Sequence, residues 1–197
     1  YTGFWNAETS AADFVCLTVT DELPGQTMEN KTAVWQQTHI GGFYWAGAYA
    51  GEEFVVVGSD DGAGAGETGT STLYLFDART GEILDETACK GDIRSAVCYD
   101  GEAYSFTSKG GYFYRVRVVK DGGSWRFDDL RELALGGAST STPVAANGRA
   151  YVGVQGTSQF GQSTGHRIAV IDLASFKIAY TVPTQGYPQT SGLLTTA

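Results

Sequence analysis

The sequence predicts an all-β protein, a fan of four-stranded antiparallel sheets of the β-propeller type. Three observations predict it. Glycine is abundant, 27 of 197 residues, while proline numbers only four; with aromatics at 13% this favours short strands joined by tight turns over disorder. A Gly followed three residues later by an aromatic recurs at Gly51 and Phe54, at Gly101 and Tyr104, and at Gly148 and Tyr151, and Tyr1-Thr-Gly3 matches Tyr151-Val-Gly153. These heads mark units of about fifty residues, the length of one blade. No segment carries a 3.6-residue apolar period between helix caps, whereas runs such as Tyr112-Phe-Tyr-Arg-Val-Arg-Val alternate.

Each unit reads in the same order. The chain opens in a second strand (1–5), then a third (13–20) and a fourth (32–37) of a partial unit spanning 1–38. Three full units follow at 43–88, 93–134 and 140–183. Their first strands fall at 45–49, 96–99 and 143–146, and their second at 54–58, 103–107 and 150–155. The third strands fall at 72–77, 112–119 and 167–172, and the fourth at 83–87, 126–133 and 177–182. The last segment, 188–197, holds the first strand of a next unit, over 190–197. This gives four blades' worth of strands, out of phase by one. The last strand then either completes the first sheet and closes a small ring, or the chain is an arc of a larger ring, which is the expectation adopted. An open arc exposes apolar flanks and unpaired edges, so it should self-associate. Tyr1 falls inside a strand, so the chain reads as an excised piece.

With 22 acidic and 13 basic residues the net charge is −9, which argues against a nucleic-acid partner and against an anionic membrane surface. No apolar stretch is long enough to span a bilayer. Cys16, Cys89 and Cys98 are odd in number and lack a CxxC pair, so they read as small buried hydrophobes.

Asp77-Ala-Arg-Thr80-Gly81 resembles the D-x-x-T-G turn of the quinoprotein-type (PQQ-like) β-propeller repeat. The Asp side chain of such a turn can hold backbone N–H groups two and three residues on, and Gly accepts a positive φ. The later copies depart from it, as Asp121-Gly-Gly and as Asp172-Leu-Ala-Ser175-Phe176. The aromatic that packs between blades in that family is matched by Trp35 and Tyr180, while the first full unit has Asp85 there. Three strings, Tyr1-Thr-Gly-Phe-Trp-Asn, Gly42-Phe-Tyr-Trp-Ala-Gly and Thr184-Gln-Gly-Tyr-Pro-Gln-Thr-Ser-Gly, are similar to propeller segments of large secreted surface proteins of Gram-positive bacteria. That resemblance implies an extracellular or cell-surface location and no assigned reaction. The family's dehydrogenases stack adjacent cysteines on a quinone, and no Cys-Cys pair exists here, so no PQQ is expected.

Loops joining second to third strands share a propeller face with the blade-to-blade connections, and loops on a rigid scaffold host binding. These are 6–12, 59–71 and 156–166. Asp60, Asp61 and Glu67 sit among glycines in the second of them, oxygen donors suited to Ca²⁺ although without EF-hand spacing; a solvated loop is the plainer reading, and no cofactor is expected. Gly161-Gln-Ser163-Thr-Gly165 matches G-x-S-x-G but lacks the strand-to-helix turn of a nucleophile elbow. Trp5, Phe43, Tyr44, Trp45 and Tyr187 stand near strand ends or blade-to-blade connections, where exposed rings could stack on a sugar or a peptide; packing between blades is the plainer reading. Arg94, Ser141 and Gln189 fall where blades begin, at the mouth of the central channel, and Arg94 has no obvious carboxylate partner nearby in sequence. The function expected is a non-catalytic extracellular module binding a carbohydrate, peptide or protein. The alternatives are a propeller hydrolase, lyase or quinone-linked dehydrogenase, and a structural spacer in a large surface protein.

Overall fold

The structure, a computed structural model, describes residues 1–19, 31–159 and 162–195. Among these residues every regular element is a strand, and neighbouring strands within each sheet pair antiparallel. The first sheet holds β1 (Thr2–Gly3), β2 (Ala11–Cys16) and β3 (Trp35–Ile40). The second holds β4 (Tyr49–Ala50), β5 (Phe54–Gly58), β6 (Thr70–Asp77) and β7 (Ile83–Lys90). The third holds β8 (Cys98–Tyr99), β9 (Tyr104–Ser108), β10 (Tyr112–Asp121) and β11 (Ser124–Ala134). In the fourth, β12 (Val144–Ala146) and β13 (Arg149–Val154) are followed by a hairpin, β14 (Thr157–Gln159) and β15 (Gln162–Thr164), before β16 (Arg167–Asp172) and β17 (Lys177–Pro183) close the sheet. This is a β-propeller arrangement.

Burial explains why the sheets need one another. In β5 all five residues of Phe-Val-Val-Val-Gly are buried. Val55 and Val57 pack toward the first sheet with Phe14, Trp35 and Phe76. Phe54 and Val56 point the other way, toward Tyr104, Phe106 and Tyr114 of the third sheet. A third cluster, with Phe113, Val152, Val154, Ala169 and Ile171, joins the third and fourth sheets. A middle strand with water on neither face reads as a near-continuous apolar run, and its alternation assigns each residue to one junction.

The first strands are shorter than the sequence suggested, two or three residues each. The loop expected over 156–166 instead carries the β14–β15 hairpin. Residues 190–195 of the expected last strand pair with no other strand; residues 196 and 197 lie outside the described residues, as does Thr20 of the first third-strand. The aromatic column also shifts. Phe54 lies opposite Asp77, but Arg149, not Tyr151, lies opposite Asp172, so the fourth sheet is offset by two residues.

The last turns of the second and third sheets differ in their chemistry. Asp77 Oδ1 accepts the N–H groups of Arg79 and Thr80 at 2.9 and 2.8 Å, and Gly81 takes φ 73°. At Asp121-Gly-Gly-Ser124 both glycines have positive φ, 59° and 94°, as a two-residue hairpin loop requires. At the inter-sheet position, Asp85 Oδ2 accepts the Phe127 N–H at 2.7 Å in place of an aromatic contact.

Candidate functional site

The loops after β1 and β5 and the connection from β7 to β8 converge on one face. The connection is tied to the loop by backbone bonds, from Ile93 N–H to Ser59 O at 3.0 Å and from Gly91 N–H to Gly69 O at 2.9 Å. This brings Glu8, Asp60, Asp92 and Arg94 together. The Arg94 guanidinium is buried and grips Asp60 with two nitrogens, Nε at 3.1 Å from both carboxylate oxygens and Nη2 at 2.7 Å from Oδ2. Nη2 also donates to Glu8 Oε2 at 2.9 Å and lies 3.2 Å from Asp92 Oδ2. Lys109 Nζ meets Asp92 Oδ2 at 2.7 Å, and the Asp61 N–H donates to Asp92 Oδ1 at 3.0 Å.

Carboxylate oxygens of Glu8, Asp60 and Asp92 all lie within 4.8 Å of one another. Arg94 stands among them as their cation, forming charge-assisted bonds of the stronger kind. Burial pushes the Asp60 carboxyl up to about 7, outweighing the pull of Arg94, and the Asp92 and Glu8 charges push the same way. At Asp92 burial also pushes up, but the hydrogen bonds of Lys109 and the Asp61 N–H, with the charges of Arg94 and Lys109, hold it below the ordinary carboxylate range. Burial lowers the His39 imidazole, whose Nδ1 lies 2.8 Å from the Tyr74 hydroxyl.

Beside this charge cluster stands an aromatic group. The Arg94 guanidinium lies 4.6 Å from the Tyr44 ring centroid. Trp5 and Trp45 stack with the same Tyr44 at 4.9 and 4.4 Å. Trp5 is 40% exposed and Trp45 65%. Trp45 has φ 58°, a left-handed backbone that costs a non-glycine residue about 1–2 kcal/mol. Such strain clusters at binding sites, where the surroundings fix it. A cleft of about 470 Å³ opens below, between Tyr1, Phe4 and Trp5 on one side and Trp45, Gly47 and Ala48 on the other.

The residues singled out in the sequence divide. Trp5, Trp45, Arg94 and Asp60 meet here. Asp61 is adjacent but gives both carboxylate oxygens to backbone, accepting from Ala63 N–H at 2.9 Å and Gly69 N–H at 2.8 Å. Glu67 is exposed in the same loop, with its N–H donating to Gly64 O at 3.0 Å. Ser141 lies on the connection into β12 and Tyr187 on the segment after β17, apart from these residues. The Ser141 hydroxyl donates to Thr190 O at 3.0 Å, and the Tyr187 hydroxyl accepts from Thr140 N–H at 2.6 Å. Gln189 is exposed on the segment after β17. His166 Nδ1 accepts the Gly156 N–H at 3.0 Å and so anchors the hairpin base; Gly161 of the G-x-S-x-G string lies outside the described residues.

The absence of a carboxylate partner for Arg94 does not hold, since it has three. Glu8, Asp92 and Lys109 were not singled out. Asp92 carried a signal, two residues before Arg94 on the same connection. Glu8 lies 86 residues away and carried none.

No protein-family model matches this chain, and no curated protein matches it. Solved structures do. The computationally designed Ika4 protein is 16% identical with a TM-score of 0.50, over 73% of this chain and 76% of that one. BamB from Moraxella catarrhalis is 15% identical with a TM-score of 0.50, over 77% of this chain and 40% of that one. The designed Ika8 protein is 16% identical with a TM-score of 0.52, over the same shares. The chain therefore spans about 40% of the length of two of the three. At these identities the likeness speaks for the fold alone.

Proposed function

We propose that this chain is a non-catalytic binding module that takes a carbohydrate on its loop face. The observation that carries the reading is the group Trp5, Tyr44 and Trp45: two partly exposed indoles stacked on one phenol, one of them held in strained backbone. Rigid ring faces offer a sugar a flat apolar surface. Glu8, the half-exposed member of the charge cluster, pairs with the Arg94 guanidinium that lies over the Tyr44 ring, and offers carboxylate oxygen to accept hydroxyl hydrogen bonds. The buried acids support the reading from the other side: Asp60 and Asp92 are committed to Arg94 and Lys109. The D-x-x-T-G turn at Asp77 and the surface-protein strings support a quinoprotein-type repeat at an extracellular or cell-surface location, without quinone.

A glycan array followed by calorimetry tests this. Trp45→Ala is expected to weaken the best hit at least about tenfold, the scale of one lost aromatic contact, with the melting temperature little changed. Binding indifferent to both Trp45→Ala and Trp5→Ala would sink the reading. A second reading, a hydrolase or lyase, rests on three carboxylates gathered within 4.8 Å of one another on the loop face, of which burial raises Asp60 to about 7, a value that suits a general acid. Turnover of an array hit that disappears in Asp60→Asn would establish that reading instead.

A further inference from the structure

We infer that the cleft between the third and fourth sheets binds a small zwitterion, an apolar α-amino acid or a short peptide of such residues, with its carboxylate on Arg131 and its ammonium on Asp129. The site is independent of the ligand reading above. The cleft holds about 520 Å³, room for a small ligand. Its walls come from β10 and β11 and from the turns joining β8 to β9, β12 to β13 and β16 to β17. In an antiparallel sheet those turns lie at the strand ends opposite the loop that carries Asp60.

Strand register explains the cleft. In the second sheet Tyr49, Val56, Leu75 and Asp85 stand opposite one another across the four strands. Val56 and Leu75 are fully buried in the cluster shared with the third sheet. The same row of the third sheet reads Cys98, Ser105, Arg115 and Arg131. Residues directly opposite share a face. Two arginines, a thiol and a hydroxyl therefore replace the aliphatic groups that seal the preceding junction. Ser105 is 1% exposed, and its hydroxyl has no hydrogen-bond partner among the described residues. A buried polar group left unmatched costs stability, and so marks a place where a partner is missing.

The charges lining the cleft are three arginines, Arg115, Arg117 and Arg131, and three acids, Asp100, Glu102 and Asp129. Most are already matched. Arg115 Nη2 donates to Asp100 Oδ2 at 2.9 Å and to Glu102 Oε2 at 3.0 Å. Arg117 Nη2 donates to Asp128 Oδ2 at 2.6 Å. Two groups of opposite sign remain. Arg131 is half-buried, and its guanidinium lies 4.0 Å over the Phe176 ring with no carboxylate on its N–H groups among the described residues. A guanidinium stacked in this way keeps its edge for a bidentate carboxylate. Asp129 lies across from the register shift between Arg115 and Arg117, in left-handed backbone with φ 53°. Its carboxylate also has no partner among the described residues. A plain anion would meet Asp129, and a plain cation would meet Arg131. A zwitterion satisfies both, and Ala145, Ala146 and Leu173 line the space for an apolar side chain.

Amide NMR of the full chain, titrated with L-leucine and with L-leucyl-L-leucine, tests the assignment. At least one is expected to shift the Ala145, Asn147 and Leu173 signals and leave those of Trp5 and Trp45 in place. The stronger binder of the two tells a free amino acid from a peptide. N-acetyl-L-leucine lacks the ammonium and L-leucinamide lacks the carboxylate. Each should bind at least about tenfold more weakly than leucine, the scale of one lost hydrogen bond to a charged group. Arg131→Gln should weaken leucine by the same factor. Asp129→Asn keeps a residue that tolerates left-handed backbone. It should weaken leucine likewise but leave N-acetyl-L-leucine unchanged, whereas damage to the fold would weaken both. The proposal is overturned if neither zwitterion shifts these signals, or if acetylation or amidation leaves the affinity unchanged. It is equally overturned if Asp129→Asn weakens leucine and its acetylated form alike.

Discussion

At residues 77–81 the chain turns from β6 into β7, and at residues 172–176 it turns from β16 into β17. Both turns begin with an Asp whose carboxylate accepts a backbone N–H three residues on, at 2.8 Å from Thr80 and 2.7 Å from Ser175. Both end in left-handed backbone, φ 73° at Gly81 and 53° at Phe176. They differ in what fills the junction to the preceding sheet. Over Gly81 the filler comes from the preceding sheet: Trp35 covers the glycine and donates Nε1–H to Ala78 O at 3.1 Å. At the other turn Phe176 is itself the filler, packed 5.7 Å from the Phe113 ring and under the Arg131 guanidinium. One aromatic ring belongs at each of these two junctions, and either sheet can supply it. A sheet that supplies the ring from its turn accepts the left-handed cost in exchange for burying a phenyl group.

The sharpest way to break this comparison is to put a ring on both sides. A Cβ on Gly81 would stand 2.5 Å from the Trp35 ring. Gly81→Phe adds that clash to the left-handed penalty and is expected to cost about 3 kcal/mol or more in urea unfolding. Adding Trp35→Arg copies the arrangement of the fourth sheet and should restore a substantial part of the loss. Strictly additive effects would mean that the two positions do not share one space. The next effect concerns an order. Phe176→Ala removes a buried ring at about 3 kcal/mol and keeps the strained backbone. Phe176→Gly removes the same ring but relieves the strain, so it should be the more stable of the two by about 1 kcal/mol, the reverse of the usual preference. Alanine proving better than glycine would show that φ at Phe176 carries no cost.

The fold was legible because its cause is local and repeated. Strands buried on both faces carry apolar residues, as in Phe54 to Gly58, or small hydroxyl residues between aromatics, as in Tyr104 to Ser108, and tight turns carry Gly or Asp; these marks recur from the second sheet to the fourth. The departure at Phe176 was legible only as a lost glycine, because the conformation persists while its usual residue does not. The offset of Arg149 against Phe54 was hidden, since an aromatic at Tyr151 mimics the expected column two residues late. The site was legible at its rings and at Arg94, which stand next to a strand end and a blade start. The pairing of its charges was not, although Asp60 stood out as an oxygen donor and Asp92 stood two residues before Arg94. Glu8, Asp60 and Asp92 come from three separate segments, and nothing in the residues around Glu8 says which cation it will face. The buried connection between distant loops is a property of the fan, and one sequence carries no record of it.

The smallest expected effect asks whether the Asp bracket works independently of the residue at the end of the turn. The backbone N–H of Thr80 holds the Asp77 carboxyl below its ordinary range, and that of Ser175, with the Ser175 hydroxyl, does the same for Asp172. A carboxyl whose native pKa is depressed binds fewer protons folded than unfolded in the interval between the two values. Its stabilising contribution is therefore complete above the unfolded value near 3.8 and is lost as pH falls through the native one. Unfolding midpoints measured from about pH 5 down to about pH 2 should fall less steeply in Asp77→Asn and in Asp172→Asn than in the parent chain. The two variants should flatten the curve alike, although one turn ends in glycine and the other in strained phenylalanine, because the carboxylate bonds close before the fifth residue is reached. If Asp172→Asn flattens the curve only when Phe176 is also glycine, bracket and ring form one coupled device. The fourth-sheet turn would then be a different structure from the second, joined to it by nothing more than a shared shape.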